Sequence, residues 1–320
     1  MSPSEPSPSN APGEPEGGRR EFLKTVGAIP IAVAAAQLAE AAAPAEQPSM
    51  PMTRLGPHAI SRLVCGSNCF GGGSHLSTFV NIEMRHYYTE EQILKTLRRC
   101  QEVGINCWQA GGDRYKLWRR FLDEGGTMHY IAIESGNPAF VQTLKDAGCI
   151  AIAHHGEATD SLFKKGKLDE VGDYLKAIRD AGLQVGVSTH MPDVVDAVES
   201  KGWDVDYYMT CVYERHRSAA DLERLLGHVP IPVGEVYLTS DPPRMFRAMR
   251  ATKRPCFAFK ILAAGRLSDR KEWVEQAFRQ TFAAIKPIDA VIVGIYDRYS
   301  DQPGEDAALV RRFGSNQTTG

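Results

Sequence analysis

The sequence predicts an α/β fold, a TIM (β/α)8 barrel, on three observations. First, a unit repeats after residue 54: a helical stretch ends in glycine, and a short apolar run and polar residues follow, as in EVG-INCW-QAGGD, DAG-CIAIA-HHGE and DAG-LQVGV-STH. Second, eight such apolar runs occur. Third, they occupy about 250 residues, the usual size of this barrel. An open, doubly wound sheet is the alternative, but no Gly-x-Gly-x-x-Gly motif opens a helix after the first strand.

The predicted strands are apolar runs of about four to six residues, the pattern of parallel strands that are buried on both faces. Gly104, Gly148 and Gly182 precede three of them, where a helix takes a left-handed C-terminal cap. In chain order, the strands are predicted near Leu63–Gly66, Ile105–Trp108, Tyr130–Ile133, Ile150–Ala153, Gln184–Val187, Tyr207–Val212, Cys256–Phe259 and Ala290–Val293.

Capping chemistry marks the starts of several helices between these strands. Thr89, with Gln92 three positions later, forms a capping box. Asn137 is a cap residue followed by a proline in the first turn, and Pro192 and Pro242 can each open a helix. The helices therefore alternate with the strands, as a barrel requires.

The composition favours a globular protein that acts on a small molecule. The chain has 43% hydrophobic residues, and its formal net charge is -2. This balance provides no attraction to a phosphate backbone, and no basic run interleaved with aromatic residues occurs. Nucleic acid is therefore not expected as a partner. A small-molecule substrate is expected instead.

The first 47 residues are predicted to be a disordered leader with an export signal. Residues 1–18 are mostly Ser, Pro, Glu, Gly and Asn, a composition that cannot bury enough apolar surface to fold. The sequence RREFLK (19–24), the apolar stretch 26–36 and the small residues near Ala43 then resemble a twin-arginine signal peptide with a cleavage region.

This signal implies a partner and a location. The twin-arginine export machinery would bind the leader, and the mature protein would be periplasmic or otherwise extracytoplasmic. The apolar stretch is too short to span a bilayer comfortably, so no stable membrane span is expected after cleavage. Residues 50–314 are predicted to form a single barrel domain, and residues 315–320 a flexible tail.

The seven cysteines are predicted to be free thiols. No Cys-x-x-Cys pair indicates a zinc ribbon, and most of the cysteines lie inside or beside apolar runs. Cys65 and Cys69 are close enough in sequence to pair, but they lie at a junction between strand and loop, and free thiols are favoured for both.

Several segments resemble the aldo/keto reductases. RLGPHAISRLVCGSNCFGGG (54–73) is similar to that family's opening, in which a small hairpin caps the barrel floor before the first strand. GINCWQAGGDRY, AIAHHGE and YLKAIRDAGLQVGVSTH resemble its second-strand, fourth-strand and fifth-strand blocks. PCFAFKILAAGRL (255–267) and AVIVGIYD (290–297) resemble its seventh and eighth. The resemblance implies a barrel with an N-terminal hairpin.

The family's catalytic tetrad is not retained in this sequence. The resemblance implies a reduction that depends on a nicotinamide, with a Tyr as acid, an Asp–Lys pair that lowers its pKa, and a His. Gln109 stands in place of the Asp and Glu134 in place of the Lys, while Tyr115 lies one residue beyond the usual spacing. A carboxylate would raise the pKa of a neighbouring tyrosine. The histidine survives as His154 or His155, of which at most one faces the mouth.

The cofactor is therefore left unknown, and NAD(P) is the less favoured candidate. Asp297 lies in the segment that resembles the family's phosphate-binding segment, and its charge would repel a 2′-phosphate. A divalent metal is the other candidate, with Glu134, His154 and His190 as its ligands, because carboxylate and imidazole groups suit such ions.

Residues at the carboxyl ends of barrel strands meet at one mouth, which predicts the site. The first group is predicted to be catalytic and comprises Tyr115, Glu134, His154, His155, His190 and Lys260. The second group is predicted to bind substrate and comprises Asn68, Gln109, Tyr213, His216 and Asp297.

Three functions remain open. The favoured hypothesis is an exported enzyme with a rebuilt site that performs non-redox acid/base chemistry, as an isomerase, epimerase or lyase, on a sugar-like or small polar substrate. The second is a reductase that holds NAD(P) tightly and uses Tyr115 as its acid. The third is a barrel that binds a ligand without catalysis.

Overall fold

The computed structural model describes residues 49–231 and 235–315, and these residues form a closed barrel of eight parallel strands. Each barrel strand pairs with the next in the chain, and the last closes on the first. This confirms the predicted TIM barrel. The barrel strands are β3 (Leu63–Gly66), β4 (Cys107–Gly111), β5 (His129–Glu134), β6 (Ala151–His154), β7 (Gln184–Thr189), β8 (Tyr207–Cys211), β9 (Cys256–Phe259) and β10 (Ala290–Gly294).

The predicted N-terminal hairpin is also confirmed, and it lies at the barrel floor. β1 (Met52–Leu55) and β2 (His58–Ser61) pair antiparallel. The Thr53 hydroxyl donates to the carbonyl of Ile288, just before β10, and the Ser61 amide donates to the Asn106 side chain, just before β4. Because these partners precede their strands, the hairpin covers the amino-terminal end of the barrel.

Helices surround the barrel, and their starts agree with the predicted caps. The Thr89 hydroxyl accepts from the Gln92 amide, and the Asn137 side chain accepts from the Ala139 amide. The helices are α1 (Thr78–Tyr87), α2 (Glu90–Glu102), α3 (Tyr115–Asp123), α4 (Pro138–Asp146), α5 (Gly156–Lys164), α6 (Asp169–Asp180), α7 (Pro192–Lys201), α8 (Ala219–Leu226), α9 (Asp241–Ala251), α10 (Lys271–Ala284) and α11 (Gln302–Phe313).

Strand alternation separates two cores, one inside the barrel and one between barrel and helices. The helix-facing core includes Ile152 of β6 and Tyr130 of β5. The interior core contains side chains from the hairpin and from seven barrel strands: Leu55, Ile60, Val64, Cys107, Ile131, Ala151, Ala153, Tyr207, Met209, Phe257, Ala290 and Ile292. This alternation decides which strand-end residues reach the mouth.

The seven cysteines all carry free thiols, as the sequence predicted. Within residues 49–231 and 235–315, no helix is long and apolar enough to cross a membrane. The predicted leader and signal peptide, and the predicted tail after residue 315, lie outside these ranges.

Candidate active site

A histidine held by a buried aspartate lies at the mouth of the barrel. His190 follows β7, and its Nδ1 lies 2.7 Å from Oδ2 of Asp160, which also accepts from the His190 backbone amide at 3.0 Å. The Thr189 hydroxyl donates to the other carboxylate oxygen at 2.5 Å. The His190 ring packs edge to face on Phe259 at 5.5 Å. Because β7 and β9 are not neighbours, this contact crosses the open end of the barrel.

The environment of His190 favours a neutral ring that accepts protons. Burial lowers the pKa of His190, the Asp160 carboxylate opposes this fall, and the charges of Arg215 and Lys260 lower the pKa further. When the ring is neutral, its proton lies on Nδ1, which donates to Asp160, and the lone pair is on Nε2. This is the arrangement of a general base.

Lys260 directly follows Phe259, whose ring packs on His190, and its charge acts on that histidine. It follows β9 in a left-handed backbone conformation, with φ at +60°, which is uncommon for a residue with a side chain. Burial lowers the pKa of its amine to about 8, with further contributions from neighbouring charges that include Arg215 and Glu235. The amine is therefore partly neutral at a slightly alkaline pH.

Arg215 and Glu235 connect the loop after β8 to His75, which lies between β3 and α1. Glu235 accepts hydrogen bonds from Arg215, from Tyr237 at 2.7 Å and from Nδ1 of His75 at 2.9 Å. Burial alone would raise the pKa of Glu235, but the hydrogen bonds from His75 and Tyr237 and the charge of Arg215 hold it well below its usual range. The guanidinium of Arg266 lies 4.1 Å above the Tyr237 ring.

Of the two adjacent histidines at the end of β6, His155 reaches the mouth and His154 does not. Ala151 and Ala153 belong to the interior core, so by alternation His155 faces the interior and His154 the helices. Nδ1 of His154 lies 2.7 Å from the Thr159 hydroxyl, and burial lowers the pKa of this ring to about 4.

His155 has the opposite hydrogen-bond pattern to His190. Its Nδ1 accepts from the Glu157 backbone amide at 3.3 Å, which leaves the proton of a neutral ring on Nε2. Burial lowers the pKa of this ring too. Two neutral imidazoles with opposite tautomers, one a proton acceptor and one a donor, thus lie at one mouth.

Four of the five predicted substrate-binding residues lie at or near the mouth. His216 packs against His190, with 6.0 Å between ring centroids, and Tyr213 packs on Tyr237. Gln109 is buried and shares the interior side of β4 with Cys107. The Asn68 amide lies 3.5 Å from Nε2 of His75, at the rim.

The structure places Glu134, Tyr115 and Asp297 outside this cluster. Glu134 has the same orientation as Tyr130, towards the helices; burial raises the pKa of its carboxyl, and the Gly112 and Ser135 amides partly offset the rise. Tyr115 opens α3, where its ring packs against that of Phe140.

Asp297 is held by two hydroxyl groups. It accepts hydrogen bonds from Tyr88 at 3.0 Å and from Thr96 of α2 at 2.7 Å. Both of its carboxylate oxygens are therefore bound within the protein, in a structural contact beside the helices.

The metal set suggested by the sequence is not assembled. Glu134 and His154 face the helices while His190 faces the interior, and no group of three or more His, Cys, Asp or Glu suited to a metal occurs among the residues that the structure describes. The three positions at which the resemblance implies a tyrosine-activating set for nicotinamide chemistry are also not brought together, because Gln109, Tyr115 and Glu134 lie in different environments. The residues present do not fit that cofactor's reaction.

Sequence reasoning missed four residues of this site. Asp160 lies on α5 and not at a strand end, and no local pattern links it to His190. Arg215 lies between Tyr213 and His216, and its position after β8 is the same signal that predicts those two. Glu235 is recognised only by its contacts. Ser188, two residues before His190, is fully buried, and its hydroxyl has no partner among the described residues.

Comparison with known proteins shows the fold alone. Neither a protein-family model nor a curated protein matches the sequence. Among solved structures, the chain is similar to the glycerol dehydrogenase of Gluconobacter oxydans, an aldo/keto reductase, with a TM-score of 0.50 and 13% identity over 82% of this chain and 90% of that one.

A second similar structure is a truncated 3-deoxy-D-arabino-heptulosonate 7-phosphate synthase from Thermotoga maritima. Its TM-score is 0.46, with 10% identity over 83% of this chain and 90% of that one. At 13% identity, the likeness to the glycerol dehydrogenase shows the barrel fold and no reaction.

Proposed function

We propose that this chain is an exported TIM-barrel enzyme that transfers protons on a sugar-like or small polar substrate, as an isomerase, epimerase or lyase. The observation that carries the proposal is the His190–Asp160 pair at the mouth. A histidine held by a carboxylate is suited to removing a proton from carbon, because its orientation and tautomer are fixed before the substrate binds.

The neighbouring groups complete a set for acid/base chemistry. Nε2 of His190 accepts the proton from a carbon next to a carbonyl group. The charge that then develops on the carbonyl oxygen is stabilised by a donor, either the Nε2 proton of His155 or the ammonium form of Lys260. Return of the proton to another position or face gives isomerisation or epimerisation, and loss of a neighbouring group gives elimination.

Exchange with solvent deuterium tests the proton transfer. Wild-type protein in deuterium oxide is expected to replace the hydrogen next to the carbonyl group in at least one of dihydroxyacetone, glyceraldehyde and pyruvate, which proton NMR detects. His190→Gln is expected to lose this exchange, because the amide cannot accept the proton. His228→Gln, an exposed histidine outside the mouth, is the matched control and should exchange normally. Exchange by His190→Gln at the wild-type rate, or no exchange by wild type with any of the three, would refute the proposal.

Export is tested separately with the arginine pair. The Arg19→Lys, Arg20→Lys double variant is expected to remain in the cytoplasm as a full-length precursor, because the twin-arginine machinery recognises that pair. Cell fractionation and the mass of the recovered chain give the result. Export of the double variant at the wild-type level would refute the signal but leave the proton-transfer proposal standing.

A further inference from the structure

The Lys260 amine has no hydrogen bond or ion pair with any residue that the structure describes, although charged groups surround it. Those that affect its pKa include Arg215, Arg266 and Glu235. The carboxylate of Glu235 is already bound by Arg215, His75 and Tyr237. Glu235 therefore binds other partners, and the Lys260 amine is available to a ligand.

The position of Lys260 is fixed by its backbone. Its left-handed φ of +60° is shared with Ala263 and Ala264, which have φ of +49° and +51° in the turn that follows. Residues with side chains adopt this region at a cost, and such strained positions cluster at functional sites. The lysine is thus held at the carboxyl end of β9, beside Phe259, whose ring contacts His190.

The same mouth holds an unpartnered donor that suits an anion. Arg215 is buried, and its two terminal nitrogens bind Glu235 and Glu157, while its Nε has no partner in the described part of the chain. A buried N–H without an acceptor is costly, and a carboxylate oxygen is its strongest partner. Phe259, which precedes Lys260, and His216, which follows Arg215, both pack against the His190 ring, so Lys260 and Arg215 flank the same histidine.

We propose that Lys260 forms an imine with the carbonyl carbon of a small oxo acid, whose carboxylate is held by Arg215. The neutral Nζ adds to the carbonyl carbon, a proton moves from nitrogen to the former carbonyl oxygen, and that oxygen leaves as water when a second proton is supplied. The result is a C=N bond in place of C=O, with no oxidant or reductant consumed.

This inference rests on the proposed function, because the imine would accept the electron pair that remains on carbon when His190 removes the proton. The amine also meets the requirement of the first step, which needs an unprotonated nucleophile. Burial lowers the pKa of Lys260 to about 8, whereas a hydrogen bond to Asp180 raises that of the exposed Lys176. At pH 7 the unprotonated fraction of the Lys260 amine is therefore much larger than that of the Lys176 amine.

Reductive trapping tests the imine independently of proton transfer. Full-length protein is incubated with glyoxylate and cyanoborohydride, which reduces an imine to a stable secondary amine, and peptide mass mapping locates the adduct. Glyoxylate has no hydrogen on a carbon next to its carbonyl group, so the trapping does not need His190 as a base. We expect labelling of Lys260 to exceed that of Lys176 by about tenfold or more, given their difference in neutral fraction. The rate should rise with pH and level off above about pH 8.

Glycolaldehyde, in which a hydroxymethyl group replaces the carboxylate, is the matched control ligand. With glycolaldehyde, we expect the ratio of Lys260 labelling to Lys176 labelling to be lower than with glyoxylate. Glycolaldehyde has no carboxylate for Arg215 to bind. Equal ratios for the two ligands would overturn the oxo-acid assignment, and labelling of Lys260 no faster than Lys176 would overturn the imine.

Two variants separate reactivity from folding. Lys260→Met and Lys260→Arg should both lose the adduct while the label on Lys176 is retained, and a thermal melt shows whether each is folded. An adduct elsewhere in the mouth in a folded variant would overturn the assignment to Lys260. Trapping without deuterium exchange refutes the proposed function alone, and exchange without trapping refutes the imine alone.

Discussion

Asp160→Asn is expected to lower the rate of deuterium exchange by about 10²- to 10⁴-fold, the usual contribution of a positioned acid or base. Asp160 accepts from the amide and Nδ1 of His190, and also from the Thr189 hydroxyl. An asparagine has a single acceptor oxygen and no charge. It therefore cannot satisfy all three donors, and it does not stabilise the imidazolium that forms when His190 takes a proton.

The pH profile distinguishes this role from a purely structural one. The rate rises with pH as His190 loses its proton, so the midpoint of the rise reports the pKa of His190. The Asp160 carboxylate raises that pKa against the effect of burial. Its removal should therefore move the midpoint to lower pH while the rate at the plateau falls. Asp221→Asn, at an exposed carboxylate on α8, is the matched control and should change neither quantity. A slower variant with an unmoved midpoint would contradict the electrostatic role.

Phe257→Ala is expected to lower the free energy of unfolding by about 3–5 kcal/mol, the usual cost of removing a buried phenylalanine side chain. Phe257 lies on β9, is fully buried and packs against Tyr207, with 5.4 Å between ring centroids, inside the barrel. The rigid ring of strands around it cannot collapse far into the space that the side chain leaves. Urea denaturation followed by circular dichroism measures the change.

Tyr207→Phe is the control for this truncation. The Tyr207 hydroxyl is buried and has no partner within the described ranges. Removing it keeps the packed ring, so the variant should be neutral or more stable by about 1 kcal/mol. A loss below about 1 kcal/mol for Phe257→Ala would show that the interior is not tightly packed at β9.

The fold was predictable because its signals are local and repeated. Apolar runs and capping residues such as Thr89 and Asn137 each determine the structure of a few neighbouring residues, and Gly104, Gly148 and Gly182 take the expected positive φ. Eight repetitions of such a unit leave few topologies besides the barrel.

The site was predictable only in part, because one residue of register decides which face a side chain takes. The sequence placed Glu134 and His154 at strand ends, and the structure does too, but both point towards the helices. His155, His190 and His216 do reach the mouth, and Lys260 directly follows Phe259, whose ring packs on His190 there. Asp160 could not be found from sequence, because its pairing with His190 joins α5 to β7 across 30 positions.

The hairpin at the barrel floor determines the end of the barrel from which molecules reach the proposed site. Leu55 and Ile60 pack into the interior core and plug that end. In the described part of the chain, the proposed site at His190 is therefore reached from the opposite end, where the strands have their carboxyl ends. Under the proposed function, substrate and product would share this approach, and a product that leaves slowly is expected to inhibit competitively with substrate.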